Sequence, residues 1–335
     1  MIRFGAGFWG PFPLRRYVEY AVRAEQHGFD AAWIGDTQLL TPDLYSALAL
    51  CANSTSRLLL GSAVTNTVTR DVTVTAGGFL ALNEFSNGRC LLGIGVGGSA
   101  VHTVGLAEDP GRQFRRKLAI VRGLVRGERV EVNGVTTRGQ ITAPPVPVYV
   151  ASSSPVVLQI AGELADGVIL NVGVMPELID EAMRQVDRGA RRAGRDVKDL
   201  DVAVIAGACI DPDRGRALEA TRSWAATTAR RIGKWMTAGG DAVRTLGATV
   251  LTAYNWDEHI RVGAAHARSV SDAIARNLAL AGTVADVVDT VGRLERAGVT
   301  HIIPLVMGAD IDATLGAFGR EIIPACRRSD TPVRG

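Results

Sequence analysis

Short runs of apolar residues alternate with longer amphipathic segments along the chain. The apolar runs have the length of strands, and the segments between them have the three-to-four-residue period of helices packed on a core. This alternation predicts an α/β fold with a parallel sheet covered by helices. The predicted strands lie at 3–8, 31–35, 58–64, 89–95, 147–151, 167–171, 201–208 and 301–305. Eight strands of this kind close a (β/α)8 TIM barrel.

The predicted helices lie at 14–27, 43–54, 72–85, 113–126, 155–164, 176–193, 214–246 and 284–297. Two segments depart from the simple alternation. Residues 129–139 contain Asn133-Gly134 between β-rich arms, which predicts a hairpin excursion. Residues 214–277 are too long for one barrel helix, so an insertion over the top of the barrel is expected before the last strand. No Pro- or Ser-rich linker divides the chain, and we expect a single domain over 1–335.

Composition narrows the class of protein. The chain is 47% hydrophobic and 21% charged, and its 37 Lys plus Arg against 34 Asp plus Glu form no dense block of one sign, so nucleic acid is not an expected partner. No apolar run approaches the roughly 20 residues that span a bilayer, so no membrane segment is expected. The first residues lack the pattern of a signal peptide, which favours the cytoplasm. The cysteines and histidines have no spacing typical of a metal site, and no metal is expected.

Several side chains just beyond the predicted strand ends are candidates for function, because barrel enzymes place their active sites there. Asp36 suits an acid, although Asp at a strand end also bonds neighbouring backbone groups. His102 is a candidate proton donor or an ordinary loop histidine. Gln38 and Asn66 are candidate hydrogen-bonding groups. Four aromatic residues are candidate walls of a substrate pocket or simple packing residues, namely Trp9, Trp235, Tyr254 and Trp256.

Ser152, Ser153 and Ser154 lie between a predicted strand and a helix that starts at Pro155. Backbone N–H groups, hydroxyl donors and the positive end of a helix dipole together suit a phosphate. The alternative is that Ser154 only caps the helix.

The stretch from Gly93 to Gly98 satisfies the G-x-G-x-x-G pattern of dinucleotide-binding folds. We do not assign it that role, because a polar, glycine-rich segment runs on to Pro110 before the next helix begins. Glycines also allow a flat ring to lie against the backbone, since no Cβ intrudes.

Several of these segments together resemble the luciferase-like monooxygenase superfamily. They are 33–38 (Trp-Ile-Gly-Asp-Thr-Gln), 60–66 (Leu-Gly-Ser-Ala-Val-Thr-Asn), 88–97, 148–154, 165–171 and 281–283. Within the superfamily the chain is most similar to the branch typified by methylenetetrahydromethanopterin reductase, whose members use the deazaflavin coenzyme F420 in place of FMN.

The resemblance implies hydride transfer between C5 of the deazaflavin and a small organic substrate. It also implies a cis peptide bond at Ala63–Val64 and a homodimer. The implied cofactor-binding residues are Ala63, Val64, Thr65, Asn66, Gly95, Val96, Gly97, Gly98, Ser152, Ser153, Ser154 and Asn171, with the serines on the phosphate. Val64, Gly97 and Ser153 are therefore expected around one cavity.

One departure from the branch concerns Gly98, where relatives commonly hold an Asp or Glu that is thought to act as an acid. Asp36 and His102 are the candidate replacements, and Trp9, Gln38, Trp235 and Tyr254 the candidate substrate contacts. Three alternatives remain open from the sequence. They are an FMN-dependent monooxygenase, a non-catalytic cofactor-binding protein and an unrelated barrel lyase that holds a sugar phosphate at the serines.

Overall fold

A closed barrel of eight parallel strands forms the centre of the molecule. The computed structural model describes residues 1–141 and 143–329. The strands in chain order are β1 (Arg3–Phe8), β2 (Ala31–Ile34), β3 (Leu59–Ser62), β4 (Thr65–Asn66), β5 (Cys90–Gly95), β6 (Val130–Val132), β7 (Val135–Thr137), β8 (Val148–Ser152), β9 (Gly167–Leu170), β10 (Asp201–Ile210), β11 (Leu280–Gly282) and β12 (His301–Val306). The barrel order is β1-β2-β3-β5-β8-β9-β10-β12, and β12 pairs with β1 to close the ring. The predicted TIM barrel is confirmed.

Helices surround this ring. They are α1 (Leu14–Gln26), α2 (Leu44–Ser54), α3 (Val72–Phe85), α4 (Ser99–His102), α5 (Gly111–Val125), α6 (Pro155–Leu164), α7 (Pro176–Arg192), α8 (Arg214–Ile232), α9 (Gly240–Ala253), α10 (Asp272–Leu278), α11 (Val284–Arg296), α12 (Ile311–Ala317) and α13 (Ile323–Ser329). Within the described ranges, none of them combines the length and the apolar character needed to cross a bilayer.

The apolar core has two layers. Trp33, Tyr149, Ile169 and Ile303 belong to a buried cluster inside the barrel, while a larger cluster lies between the strands and the helices. Trp33 occupies so much of the interior that a Cβ on Gly61 of β3 would lie 2.2 Å from its ring. Glycine on this strand therefore allows the large indole to pack across the barrel.

Local signals explain several helix starts. The Asp43 carboxylate accepts a hydrogen bond from the Ser46 backbone at the start of α2, and Asp71 does the same for Thr73 at the start of α3. Thr283 forms a capping box with Asp286 at the start of α11. These interactions satisfy backbone N–H groups that have no partner within the helix.

The hairpin prediction is confirmed by antiparallel pairing of β6 with β7. Its two central residues, Asn133 and Gly134, have φ values of +51° and +80°. Positive φ at both positions is the requirement of the type I′ turn that Asn-Gly favours.

Some predicted boundaries are wrong. The helix predicted over 214–246 is two helices, α8 and α9, because the chain turns between them and Gly240 has a φ of +69°. The strand predicted over 58–64 ends at Ser62, and the short β4 resumes at Thr65. The sequence analysis also did not predict β11, α4, or the helices α12 and α13. The first two are only three and four residues long, too short for a periodic pattern.

Candidate active site

A cleft crosses the carboxyl ends of the barrel strands. It consists of two adjoining cavities that share Val64, Gly97, Ala151, Asn171 and Arg231 in their linings. The larger cavity, of about 390 Å³, extends to the serine run, and the smaller, of about 110 Å³, extends towards Trp9. We call the two together the cofactor cleft. Val64, Gly97 and Ser153 line one cavity, as expected.

The floor of the cleft is formed where β3 and β5 end. The peptide bond between Ala63 and Val64 is cis, as the resemblance implied. Ala63 lines the smaller cavity, and Val64 lines both. A Cβ on Gly95 would lie 3.4 Å from both the Val64 side chain and the Ala151 carbonyl oxygen. Glycine at 95 therefore keeps a flat, closely packed surface at the centre of the cleft.

The larger cavity ends at the amino terminus of α6. Val96, Gly98 and the three serines line it, as expected. The Ser152 hydroxyl accepts a hydrogen bond of 2.8 Å from the Ser154 backbone, while the Ser154 side chain makes no capping hydrogen bond. The interpretation that Ser154 serves only as a helix cap is therefore wrong, and its hydroxyl is available to a bound group.

Three cationic side chains from the end of α8 face the serines, and the sequence analysis did not identify them. Arg230, Arg231 and Lys234 line the larger cavity, and none of them forms a salt bridge with a carboxylate in 1–141 or 143–329. Burial, followed by the neighbouring Arg231, lowers the pKa of Arg230. The Arg230 guanidinium lies 4.5 Å from the centroid of the Tyr254 ring, and its Nε is buried without a hydrogen-bond partner. Three cations against one carboxylate, Glu108, leave an excess of positive charge in this cavity. Such an excess beside serine hydroxyls and a helix amino terminus suits an anion.

The available signal for these residues was the close spacing of Arg230, Arg231 and Lys234 along one segment. It was weak because the helix was predicted to continue to 246, which places them in its middle. In the structure Arg230 and Arg231 lie in the last turn of α8, which lines the cleft, and Lys234 follows just after the helix ends at Ile232.

Asp36 lines the smaller cavity, but its carboxylate is held by protein groups. Its Oδ2 accepts hydrogen bonds from the Thr65 hydroxyl at 2.7 Å and from Arg70 at 2.5 Å. The Asp36 side chain is only 3% exposed, and Arg70 is 18% exposed. Asp36 therefore forms a buried ion pair with Arg70. Its hydrogen bond from Thr65 connects the end of β2 with β4.

Other predicted site residues lie outside the cofactor cleft. Thr65 and Asn66 are buried in β4, and the Asn66 side chain accepts hydrogen bonds from the backbone of Val68 and Thr69. Gln38 does not line either cavity. His102 is exposed on α4, where its ring stacks on Trp256 at 4.4 Å and its Nε2 lies 3.6 Å from Glu108. The roles predicted for these residues gain no support from their positions.

The predicted aromatic residues are found in three different places. Trp9 lines the smaller cavity and donates a hydrogen bond of 3.1 Å to the Thr37 hydroxyl. Trp235 lies at the serine end, where its indole N–H donates to the Ser153 carbonyl oxygen at 2.6 Å. Tyr254 lines neither cavity of the cleft and packs behind them against Arg230. Trp235 therefore contacts the anion site, not the predicted substrate region.

His259 is the second functional candidate that sequence reasoning missed. It is buried, lines the smaller cavity, and its Nδ1 is hydrogen-bonded to the Tyr254 hydroxyl, which also lies 3.0 Å from the Thr227 hydroxyl. Burial, followed by Arg231 and Arg230, holds the pKa of His259 well below its ordinary value. Since Tyr254 engages Nδ1, Nε2 is the ring nitrogen left for a bound molecule. A lone histidine without a motif offered no signal in the sequence.

The strand order defines a (β/α)8 barrel, and the cleft lies at the carboxyl ends of its strands. This is the position of the active site in barrel enzymes. Residues 4–301 match the family described as luciferase-like monooxygenase. The chain belongs to this family.

Two relatives match nearly the full length. A 5,10-methylenetetrahydromethanopterin reductase of Methanolobus tindarius is 32% identical over 339 residues, which cover 96% of this chain and 99% of that protein. An F420-dependent glucose-6-phosphate dehydrogenase of Beutenbergia cavernae is 30% identical over 351 residues, covering 96% of each.

Solved structures share the fold. A coenzyme F420-dependent tetrahydromethanopterin reductase from Methanopyrus kandleri superposes with a TM-score of 0.76 at 25% identity, covering 96% of this chain and 99% of that one. An F420-dependent secondary alcohol dehydrogenase superposes with a TM-score of 0.79 at 20% identity, covering 97% and 99%, which is a likeness of fold.

Proposed function

We propose that this protein is an F420-dependent oxidoreductase that acts on a small organic substrate. The observation that carries the proposal is the single cleft that joins a glycine-lined floor beside Val64 to an anion site of serines and unpaired cations. The relative from Beutenbergia cavernae, which is named as F420-dependent and is 30% identical over 96% of this chain, supports the same conclusion.

The residues of the cleft fit a deazaflavin with an acidic tail. Gly95 and Gly97 leave the floor without bulk, so a flat ring system would lie against the surface that Val64 and this backbone form together. Ser152–Ser154 with Arg230, Arg231 and Lys234 would hold the phosphate and the carboxylates beyond it. When bound, the deazaflavin supplies two electrons and a proton as a hydride at its C5.

His259 and Trp9 would complete the reacting end of the cleft. Trp9 lies with its ring 5.5 Å from that of His259, so both face the same cavity. A histidine with a lowered pKa is neutral at pH 7 and is able to take a proton at Nε2 from a hydroxyl group, or return it in the reverse reaction. Tyr254 would fix the orientation of the imidazole ring.

From the resemblance alone we also propose a homodimer. Light scattering coupled to size-exclusion chromatography tests this proposal.

Titration of the protein with F420 and separately with FMN, followed by cofactor fluorescence, tests the proposed function. Saturable binding of F420, without binding of FMN at the same concentrations, is expected. Tight FMN binding with no response to F420 would instead indicate a flavin monooxygenase. Stoichiometric F420 uptake with no turnover of a broad substrate panel would indicate a non-catalytic binding protein.

Gly95→Leu provides a structural check on the same titration. A leucine at 95 would fill the floor of the cleft, and we expect it to abolish F420 binding. Gly77→Leu is the matched control, since Gly77 is exposed on α3, lies outside the cleft, and has open space where a Cβ would extend. Loss of binding in both variants, or in neither, would contradict the assigned position of the ring.

A further inference from the structure

A third cavity, of about 230 Å³, adjoins the reacting end of the cofactor cleft. It shares Trp9, His259, Ile260 and Leu305 with the smaller cavity of the cleft. We call it the apolar pocket. Because the two spaces have these four residues in common, the apolar pocket lies directly beside the end of the cleft that holds Trp9 and His259.

Most of the wall of this pocket is apolar, with Phe12, Leu40, Val262, Met307 and Ile311 beyond the shared residues. Such a lining favours an apolar ligand. A polar ligand would lose its hydrogen bonds to water and find no partners for its polar groups in this wall. Arg230 and Lys234 line only the larger cavity of the cleft, and Arg231 lines both of its cavities, but none of these three cations lines the apolar pocket.

Two charged residues touch the apolar pocket, and neither suits an anion. Arg261 is paired with Glu258, and both belong to the same exposed loop. Asp257 is an exposed carboxylate and would repel a phosphate. A phosphorylated substrate would therefore lie in an apolar pocket with no unpaired cation to neutralise it.

We propose that the apolar pocket is the substrate site and that it takes an uncharged, largely apolar molecule with one polar reacting group, a carbonyl or hydroxyl. This inference rests on the proposed function. For a ketone, the carbonyl carbon would gain a hydride from the reduced deazaflavin, and the oxygen would gain a proton that His259 takes from solvent and passes on at Nε2. The products are a secondary alcohol and the oxidised deazaflavin, with two electrons transferred.

The probes for a test are cyclohexanone with reduced F420, cyclohexanol with oxidised F420, and glucose 6-phosphate with oxidised F420. Leu40→Asp places a carboxylate in the wall of the pocket, and Leu39→Asp is the matched control, since Leu39 is 87% exposed and does not line the pocket. We expect Leu40→Asp to raise the KM for cyclohexanone at least about ten-fold. Its Kd for F420 should stay within about two-fold of the parent value, and Leu39→Asp should change neither constant.

The outcomes separate the two proposals. F420 that fails to bind the parent protein overturns the proposed function, and this inference with it. F420 that binds, with no saturation by cyclohexanone or cyclohexanol, overturns the inference alone, and turnover of glucose 6-phosphate would strengthen that result. An unchanged KM in folded Leu40→Asp also overturns it. Should that variant not fold, Val262→Asp gives the same test, because Val262 is 46% exposed and lines the pocket.

Discussion

A Cβ built on Gly98 would lie 3.7 Å from Nη2 of Arg231, so the guanidinium of α8 reaches the place where a side chain at 98 would begin. The resemblance places an acidic residue here in relatives, and this chain has a cation beside a glycine instead. Gly98 has φ +79° and ψ −134°, a conformation that residues with a Cβ rarely adopt. Position 98 of this chain therefore has no acid, lies beside a cation, and has a backbone conformation that suits glycine.

The first prediction concerns that backbone. Gly98→Ala should lower the free energy of unfolding by about 1–3 kcal/mol, because alanine is strained at this φ and ψ. Gly77→Ala, on the exposed face of α3, should instead raise the free energy of unfolding by up to about 1 kcal/mol. Chemical denaturation of both variants measures the effect. Equal stability of Gly98→Ala and the parent would show that the loop relaxes freely.

The second prediction concerns Asp36, for which the buried ion pair with Arg70 indicates a structural role. Asp36→Ala should lower the free energy of unfolding by about 2 kcal/mol, because it removes the more buried of the two carboxylates that pair with Arg70 and leaves only the exposed Asp43. The double variant with Arg70→Met should recover part of this loss in a double-mutant cycle. A small loss of stability combined with a large fall in kcat would instead make Asp36 a catalytic residue.

The barrel could be predicted from the sequence because each strand is a short apolar run whose position depends on local pattern alone. The floor and the serines of the cleft followed for the same reason, since residues after successive strands meet at one rim. His259 and Arg230 could not be predicted in this way. The position of Arg230 depends on how α8 packs over the mouth of the barrel, and that of His259 on how the chain returns after α9, and both are matters of tertiary packing.

The third prediction concerns the charge at the serine end. Lys234 is exposed, so Lys234→Ala should raise the Kd for F420 only about two- to five-fold, and the difference should shrink as salt is added. The deazaflavin riboside, which lacks the phosphate tail, should bind the parent protein and Lys234→Ala with equal Kd. Lys198→Ala, an exposed lysine outside the cleft, is the control. An equal effect of Lys234→Ala on the riboside would place the tail elsewhere.

The fourth prediction concerns stability in mild acid. Burial lowers the pKa of His259 and of His301 from the ordinary value of 6.5. The unfolded chain therefore binds more protons below pH 6.5 than the folded chain does, and the free energy of unfolding should fall as the pH falls from 6.5. Each histidine contributes up to about 1.4 kcal/mol per pH unit in that window.

Denaturant titrations at pH 7.5 and pH 5.5 measure this slope, and His259→Gln should reduce it. The lowered pKa of Asp201 acts in a different window, because a carboxylate with a lowered pKa loses its stabilising effect only below its ordinary value of 3.8. A variant with the same slope as the parent would show that His259 is protonated equally in the folded and unfolded chains.

The last prediction concerns the same residue in catalysis. His259→Gln should lower kcat for the oxidation of cyclohexanol about a hundred-fold, because glutamine forms hydrogen bonds but does not take up a proton. Its Kd for F420 should remain close to the parent value, since His259 lies at the opposite end of the cleft from the serines. Tyr254→Phe should have a smaller effect, of about ten-fold, because it removes only the hydrogen bond that orients Nδ1. His27→Gln, at the end of α1 and outside all three cavities, is the control. Parent-like kcat in His259→Gln would exclude His259 as the group that takes the proton.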